Sequence, residues 1–276
     1  MILGLSVGTA LLWVAAMAAA GMVGGILAGL LGVGGGIVIV PVLYQILELM
    51  NVDPGIRMHL AVGTSLAVIV PTAFISARSH ARRGSVDTGL LRSWGPAILV
   101  GVLAGTLLAG ALDGTVLTAI FATVALFVAA NMVLRREGAK IADDFPNRGV
   151  KIGLGMFVGS FSTLMGIGGG TLSVPILSAF GYPVRRAVGT AAAIGMIIAI
   201  PGAIGYSLWG LGVPGRPPLT VGFVNLIGLA AIIPMTTLMA PVGARIAHAI
   251  PQRALRYSFA FFLGLSSMRM FYDLLT

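Results

Sequence analysis

Long apolar runs separated by short polar gaps set the pattern of this chain. Runs near 8–30, 58–77, 89–112, 115–134, 188–208, 222–244 and 255–275 predict full membrane spans, since a crossing helix needs about 20 consecutive apolar residues. Three shorter runs, near 36–49, 152–165 and 171–181, are too short to cross unless joined to a neighbour, and each lies beside a cluster of glycines. The predicted class is an all-α polytopic membrane protein of ten hydrophobic segments. The first run opens without a basic leader, so it reads as a first span and not as a cleaved signal.

The polar gaps are basic, and unevenly so. Arg78, Arg82, Arg83 and Arg92 fall in one gap, and Arg135, Arg136, Lys140, Arg148 and Lys151 in the next. Arg185 and Arg186 follow, then Arg245, Arg253 and Arg256. If the ten segments alternate across the bilayer, all four gaps share one face, leaving Arg57, Arg216 and Arg269 for the other. The positive-inside rule places the crowded face in the cytoplasm and both termini outside.

Composition agrees: 58% of residues are hydrophobic and 9% charged, more apolar surface than a soluble domain can hide. A net charge of +9 would suggest nucleic acid on a soluble protein, but here it sits in gaps between spans. Cysteine is absent, which removes disulfides, thiolate nucleophiles and cysteine metal sites. There is no HExxH, GxSxG or GxxxxGK[ST], so an intramembrane enzyme and a nucleotide-driven pump are both disfavoured, and no cofactor is expected.

One phrase occurs twice. GVGGGIVIVPVL at 32–43 aligns with GIGGGTLSVPIL at 166–177 at an offset of 134, bringing Gly34, Gly35 and Gly36 onto Gly168, Gly169 and Gly170. AVGTS at 61–65 then meets AVGTA at 187–191, and Pro96 and Gly105 meet Pro234 and Gly243 at an offset of 138. Each half holds five hydrophobic segments, an odd number, so the second half enters from the opposite face. This is the inverted-topology repeat of secondary transporters, with halves 1–134 and 152–276 and a cytoplasmic linker at 135–151.

Spaced glycines (Gly21, Gly25 and Gly29; Gly101 and Gly105; Gly155 and Gly159) suit close helix packing. The triplets do not. Three adjacent glycines forfeit about 1 kcal/mol each of helix propensity, so they predict a broken helix. A break at membrane depth is tolerated where it lines a cavity, and it leaves N–H groups with partial positive charge at the start of the next half-helix. Glycine lets an anion approach them closely. The candidate substrate-binding residues are therefore Gly34, Gly35, Gly36, Gly168, Gly169 and Gly170. Thr171, at the first position after its triplet, adds a hydroxyl where the other half has Ile37. Thr64, Ser65 and Thr190 either supply hydroxyls to the same cavity or bond back onto their own helices.

On the residues 32–43, 61–87, 166–177 and 187–191 the chain resembles the sulfite exporter TauE/SafE family over about residues 8–272. The resemblance implies a bacterial or archaeal inner-membrane carrier of sulfur-containing anions such as sulfite, sulfonates or sulfoacetate. One departure is that a proline falls twelve residues after Gly189 but eight after Gly63, so residues beyond that motif need not pair one to one.

Arg269 is the one basic residue beyond the first few positions of a predicted span; it either attracts the anion near the outer mouth or snorkels to the interface. No Asp or Glu lies well inside a span, which favours facilitated movement, or coupling through the substrate's own proton, over an intramembrane carboxylate. An anion channel and a non-transport scaffold are the alternatives to a carrier. The expected partners are a small anion, the bilayer and, through small-residue faces, a second copy of the chain; nucleic acid is not expected.

Overall fold

The protein is described from a computed structural model covering residues 7–31, 36–134, 142, 144–249 and 251–275. Among the described residues, the regular structure is helical apart from one small hairpin. The helices are α1 (Val7–Leu31), α2 (Gly36–Leu49), α3 (Pro54–Arg82), α4 (Thr88–Ala111) and α5 (Gly114–Leu134). After the linker come α6 (Arg148–Leu164), α7 (Gly170–Ala179), α8 (Val184–Trp209), α9 (Leu226–Ala249) and α10 (Gln252–Leu275). Among the described residues, the ten segments read from hydrophobicity are ten helices. Five of them, α3, α4, α5, α8 and residues 226–243 of α9, are long and apolar enough to cross a membrane. α10 is as long but carries Arg253, Arg256, Arg269 and Asp273.

Polar residues set the helix starts. Asp53 accepts from the Gly55 N–H at 2.7 Å, Asp87 from Leu90 at 2.9 Å and Asn147 from Val150 at 2.9 Å, each satisfying a donor that has no intrahelical partner. Asn147 starts α6 at Arg148, so this helix begins inside the segment read as linker. A second difference lies before α9. The run from 222 is not helical at its start: Thr220–Val221 (β1) and Val224–Asn225 (β2) pair antiparallel around a turn at Gly222, whose φ is +57°.

The helices pack in pairs: α1 on α9, α4 on α6, α3 on α8 and α5 on α10, with α2 and α7 lying against α3 and α8 respectively. The core runs through Trp94, Phe121, Tyr206 and the aliphatic faces of α2 and α3. Leu12, Phe127, Phe261 and Met268 are about two-thirds exposed, as lipid-facing side chains are in a chain whose solvent is hydrocarbon.

The spaced glycines mark the tightest crossings. A β-carbon at Gly101 or Gly105 would collide with the backbone of Met156 or Ser160, and one at Gly159 with the carbonyl of Ile98, so α4 and α6 touch backbone to backbone. Gly21 and Gly25 bring α1 equally close to Ile232 and Thr236 of α9. The packing role expected of these glycines is the observed one; the surroundings of Gly29 lie outside the described set. Without water to drive association, such close van der Waals approach is what holds membrane helices together. Gly159→Val should therefore cost more than the roughly 1–3 kcal/mol of ordinary overpacking, because the obstacle is backbone. Gly153→Ala, where a β-carbon meets nothing within 4 Å, should leave the protein as stable or more so. Thermal unfolding of both variants in detergent checks this.

Candidate functional site

The second glycine cluster breaks the chain between α6 and α7. Met165 caps α6, and Gly166 turns the backbone at φ +63°, a conformation L side chains rarely adopt. The Ile167 N–H donates to the Ser162 carbonyl at 2.9 Å, and α7 starts at Gly170 with the Ser173 N–H donating to the Gly169 carbonyl at 3.0 Å. The Gly166 carbonyl, left without a helical partner by the break, accepts from the Ser65 hydroxyl at 2.7 Å. A β-carbon at Gly36, the first residue of α2, would meet the Gly166 carbonyl at 2.7 Å and the Ile167 Cα at 3.0 Å. The start of one half-helix thus rests on the turn that leads into the other.

A cavity of about 60 Å³ opens beside this turn. Its floor is Gly168, Gly169 and Gly170; α3 contributes Thr72, Ala73 and Ser76, and α8 contributes Ala191, Ala192 and Gly195. A water needs roughly 10–15 Å³ on this measure, so there is room for a few waters or one small ion. Gly169 is needed for closeness: a β-carbon there would meet the Ala191 carbonyl at 2.7 Å and the Gly195 nitrogen at 2.8 Å. The start of α7, with N–H groups that lack intrahelical acceptors, faces a cavity walled by backbone and small side chains. Thr72 spends its hydroxyl on the Val68 and Ile69 carbonyls, both at 3.1 Å, whereas the Ser76 side chain borders the cavity. Further along α3, Arg78, Arg82 and Arg83 with Phe74 and Ile75 line a wider surface hollow of about 400 Å³.

The other sequence candidates divide. Gly34 and Gly35 lie outside the described residues. Thr171 is buried, and its Oγ1, like the Ser173 and Ser162 hydroxyls, has no hydrogen-bond partner. Thr64 and Thr190 neither line this cavity nor bond back onto their own helices; each accepts from a distant loop, Thr64 from the Asn225 N–H at 3.0 Å and Thr190 from that of Asp87 at 2.9 Å. Ser65 is committed to Gly166. The Arg269 guanidinium is held by Glu48 at 2.6 Å and Asp273 at 3.4 Å. The cavity's α3 and α8 walls were not among the candidates. Their signal is a small-residue face at helical spacing, 72, 73 and 76 against 191, 192 and 195. Among the described residues no group of His, Asp and Glu is placed to hold a metal.

A polytopic helical bundle with a helix interrupted beside a small cavity has the architecture of a membrane transport protein. Residues 17–270 match the sulfite exporter TauE/SafE family, and the chain belongs to it. It is 33% identical over 251 residues to a probable membrane transporter protein of Haemophilus influenzae, covering 91% of this chain and 95% of that one. A probable membrane transporter protein of Methanocaldococcus jannaschii is 29% identical over 264 residues, 91% and 92% of the two chains. One of Bacillus subtilis, YunE, is 25% identical over 249 residues, 82% and 85%. No solved structure matches. The protein is a membrane transporter and not an enzyme.

Ser65→Ala should strand the buried Gly166 carbonyl and destabilise the protein by about 1–3 kcal/mol. A lowered unfolding midpoint in detergent checks this; an unchanged midpoint would show that the turn holds without the hydroxyl.

Proposed function

We propose that this transporter is a secondary carrier of small sulfur-containing anions, sulfite or an organosulfonate such as sulfoacetate, working by alternating access between two inverted halves, 1–134 and 152–276. The observation that carries the anion reading is the cavity at the start of α7. Its polar surface is backbone and hydroxyl, and no lysine or arginine lines it. An anion there is held by N–H dipoles strongly enough to be selected and loosely enough to leave. Unwound backbone and half-helix ends at a central site are how secondary transporters bind their substrates.

Contacts that recur between the halves support the repeat. Gly25 abuts Thr236, and Gly159 abuts Ile98; the glycines differ by 134 and their partners by 138, the offsets of the aligned motifs. The same offsets carry Gly21 against Ile232 onto Gly155 against Trp94, and Gly243 against Ile26 onto Gly105 against Ser160. Hydrogen bonds follow suit. Thr64 accepts from Asn225 as Thr190 does from Asp87. The Asn225 side chain accepts from Gly228 as the Asp87 side chain does from Leu90. Two halves so matched can exchange environments by rocking on a shared centre. The basic segments, including Arg78, Arg82, Arg83, Arg185 and Arg186, face the cytoplasm of a bacterial inner membrane in this reading, with both termini outside.

The experiment is flux in proteoliposomes. Saturable exchange of a labelled anion, with counterflow, is expected of a carrier; non-saturating flux without counterflow would make the protein a channel. Sulfite, thiosulfate, sulfate and short organosulfonates, screened first by thermal shift, are the probes. Gly169→Leu should abolish flux while the protein still inserts, because its side chain has nowhere to go but the cavity or the α8 backbone. Wild-type flux in that variant would remove the cavity from the mechanism.

A further inference from the structure

Glu48 and Asp273 stand at opposite ends of the sequence and look unrelated in it. The fold brings them to one arginine nitrogen: Arg269 Nη2 lies 2.6 Å from Glu48 Oε1 and 3.4 Å from Asp273 Oδ1. Both carboxylates therefore lie within 3.4 Å of a single guanidinium nitrogen. The Asp273 side chain is only 8% exposed, and its Oδ2 has no hydrogen-bond partner. A buried carboxylate oxygen without a donor is costly, and protonation lowers that cost by removing the charge.

The surrounding charges leave that need unmet. On α3, Arg57 is buried and donates through Nε and Nη2 to the Val52 carbonyl at 3.2 and 3.0 Å, with its guanidinium 5.3 Å from the centre of the Tyr44 ring. On α2, Tyr44 and Glu48 are the titratable groups; on the C-terminal turns of α10, Arg269, Tyr272 and Asp273. The facing helix α5 has no ionisable side chain between Gly114 and Leu134. Arg269 therefore serves two acids, and it also lies over the Tyr272 ring.

We propose that Glu48 and Asp273 form a proton-binding carboxylate pair, and that this pair couples anion movement to protons. Two acids held together favour states in which one carries a proton. α2 gives the site a mechanical consequence. Its first residue, Gly36, rests on the Gly166 turn beside the cavity, and about 18 Å away along the same helix Glu48 is clamped to α10. Protonating the pair weakens the clamp on Glu48 and frees the far end of the half-helix whose near end abuts the turn. Proton binding stands on the geometry alone, whereas its coupling to flux rests on the carrier reading.

Two readouts on the full-length protein separate these. Infrared titration of detergent-solubilised protein, between roughly pH 4 and 8 where carboxyl groups and their perturbed pairs titrate, should show a protonated-carboxyl band. Glu48→Gln and Asp273→Asn should each remove it, Asp144→Asn in the linker should not, and Glu48→Asp should keep it at a shifted pH. A band of unchanged amplitude in both neutral variants overturns the site. In proteoliposomes, labelled thiosulfate, whose charge is fixed over this range, should accumulate under an imposed pH gradient in wild type, and the gradient response should be lost in both variants. Saturable thiosulfate exchange that ignores the gradient overturns the coupling and leaves the carrier standing. No exchange of any tested anion, with the band still titrating, overturns the carrier and leaves the proton site.

Discussion

A peptide group in hydrocarbon has no water to fall back on, so every interruption of a helix must be repaired by something else in the protein. The break between α6 and α7 is repaired piece by piece. Gly166 supplies the left-handed turn, the Ser162 carbonyl takes the Ile167 N–H, and Ser65 reaches across from α3 to the Gly166 carbonyl. Gly36 closes over the same carbonyl. What remains unrepaired is the start of α7, and that is where the cavity lies. The cavity is thus what an incomplete repair leaves open, and α3 and α8 wall it on either side of the turn.

The close crossings make that repair possible. Glycine contacts hold α4 to α6 and α1 to α9 at backbone distance, fixing α6, and with it the turn at its end, against the rest of the bundle. The loops before α4 and α9 are pinned in turn by Thr190 and Thr64. Hydroxyls that look like ligand donors in the sequence are here fasteners between helices and loops.

The helices were legible because lipid imposes a long, simple apolar signal, and the ten runs correspond to ten helices. The glycine spacings were legible for a related reason: a small residue every fourth position has one common use in a bilayer. The hairpin before α9 was not, since Val221, Phe223 and Val224 are as apolar as the span they precede. Nor was the ion pair between Glu48 and Arg269, which joins residues 221 apart; no periodicity relates them, and only the packing of α2 and α10 does. The turn glycines Gly168, Gly169 and Gly170 were readable as a break, but the partners that complete the cavity were hidden among alanines that could equally have been packing.

Those alanines and glycines have a consequence of their own. Ala73, Ala191, Ala192, Gly195 and the three turn glycines own no side-chain torsion, so most of the wall cannot swing aside for a larger guest. Fit in such a chamber is graded by atoms and not by rotamers. Adding one methyl at Gly195 or removing one at Ala191 would therefore change the free volume of the cavity in a single mutational step.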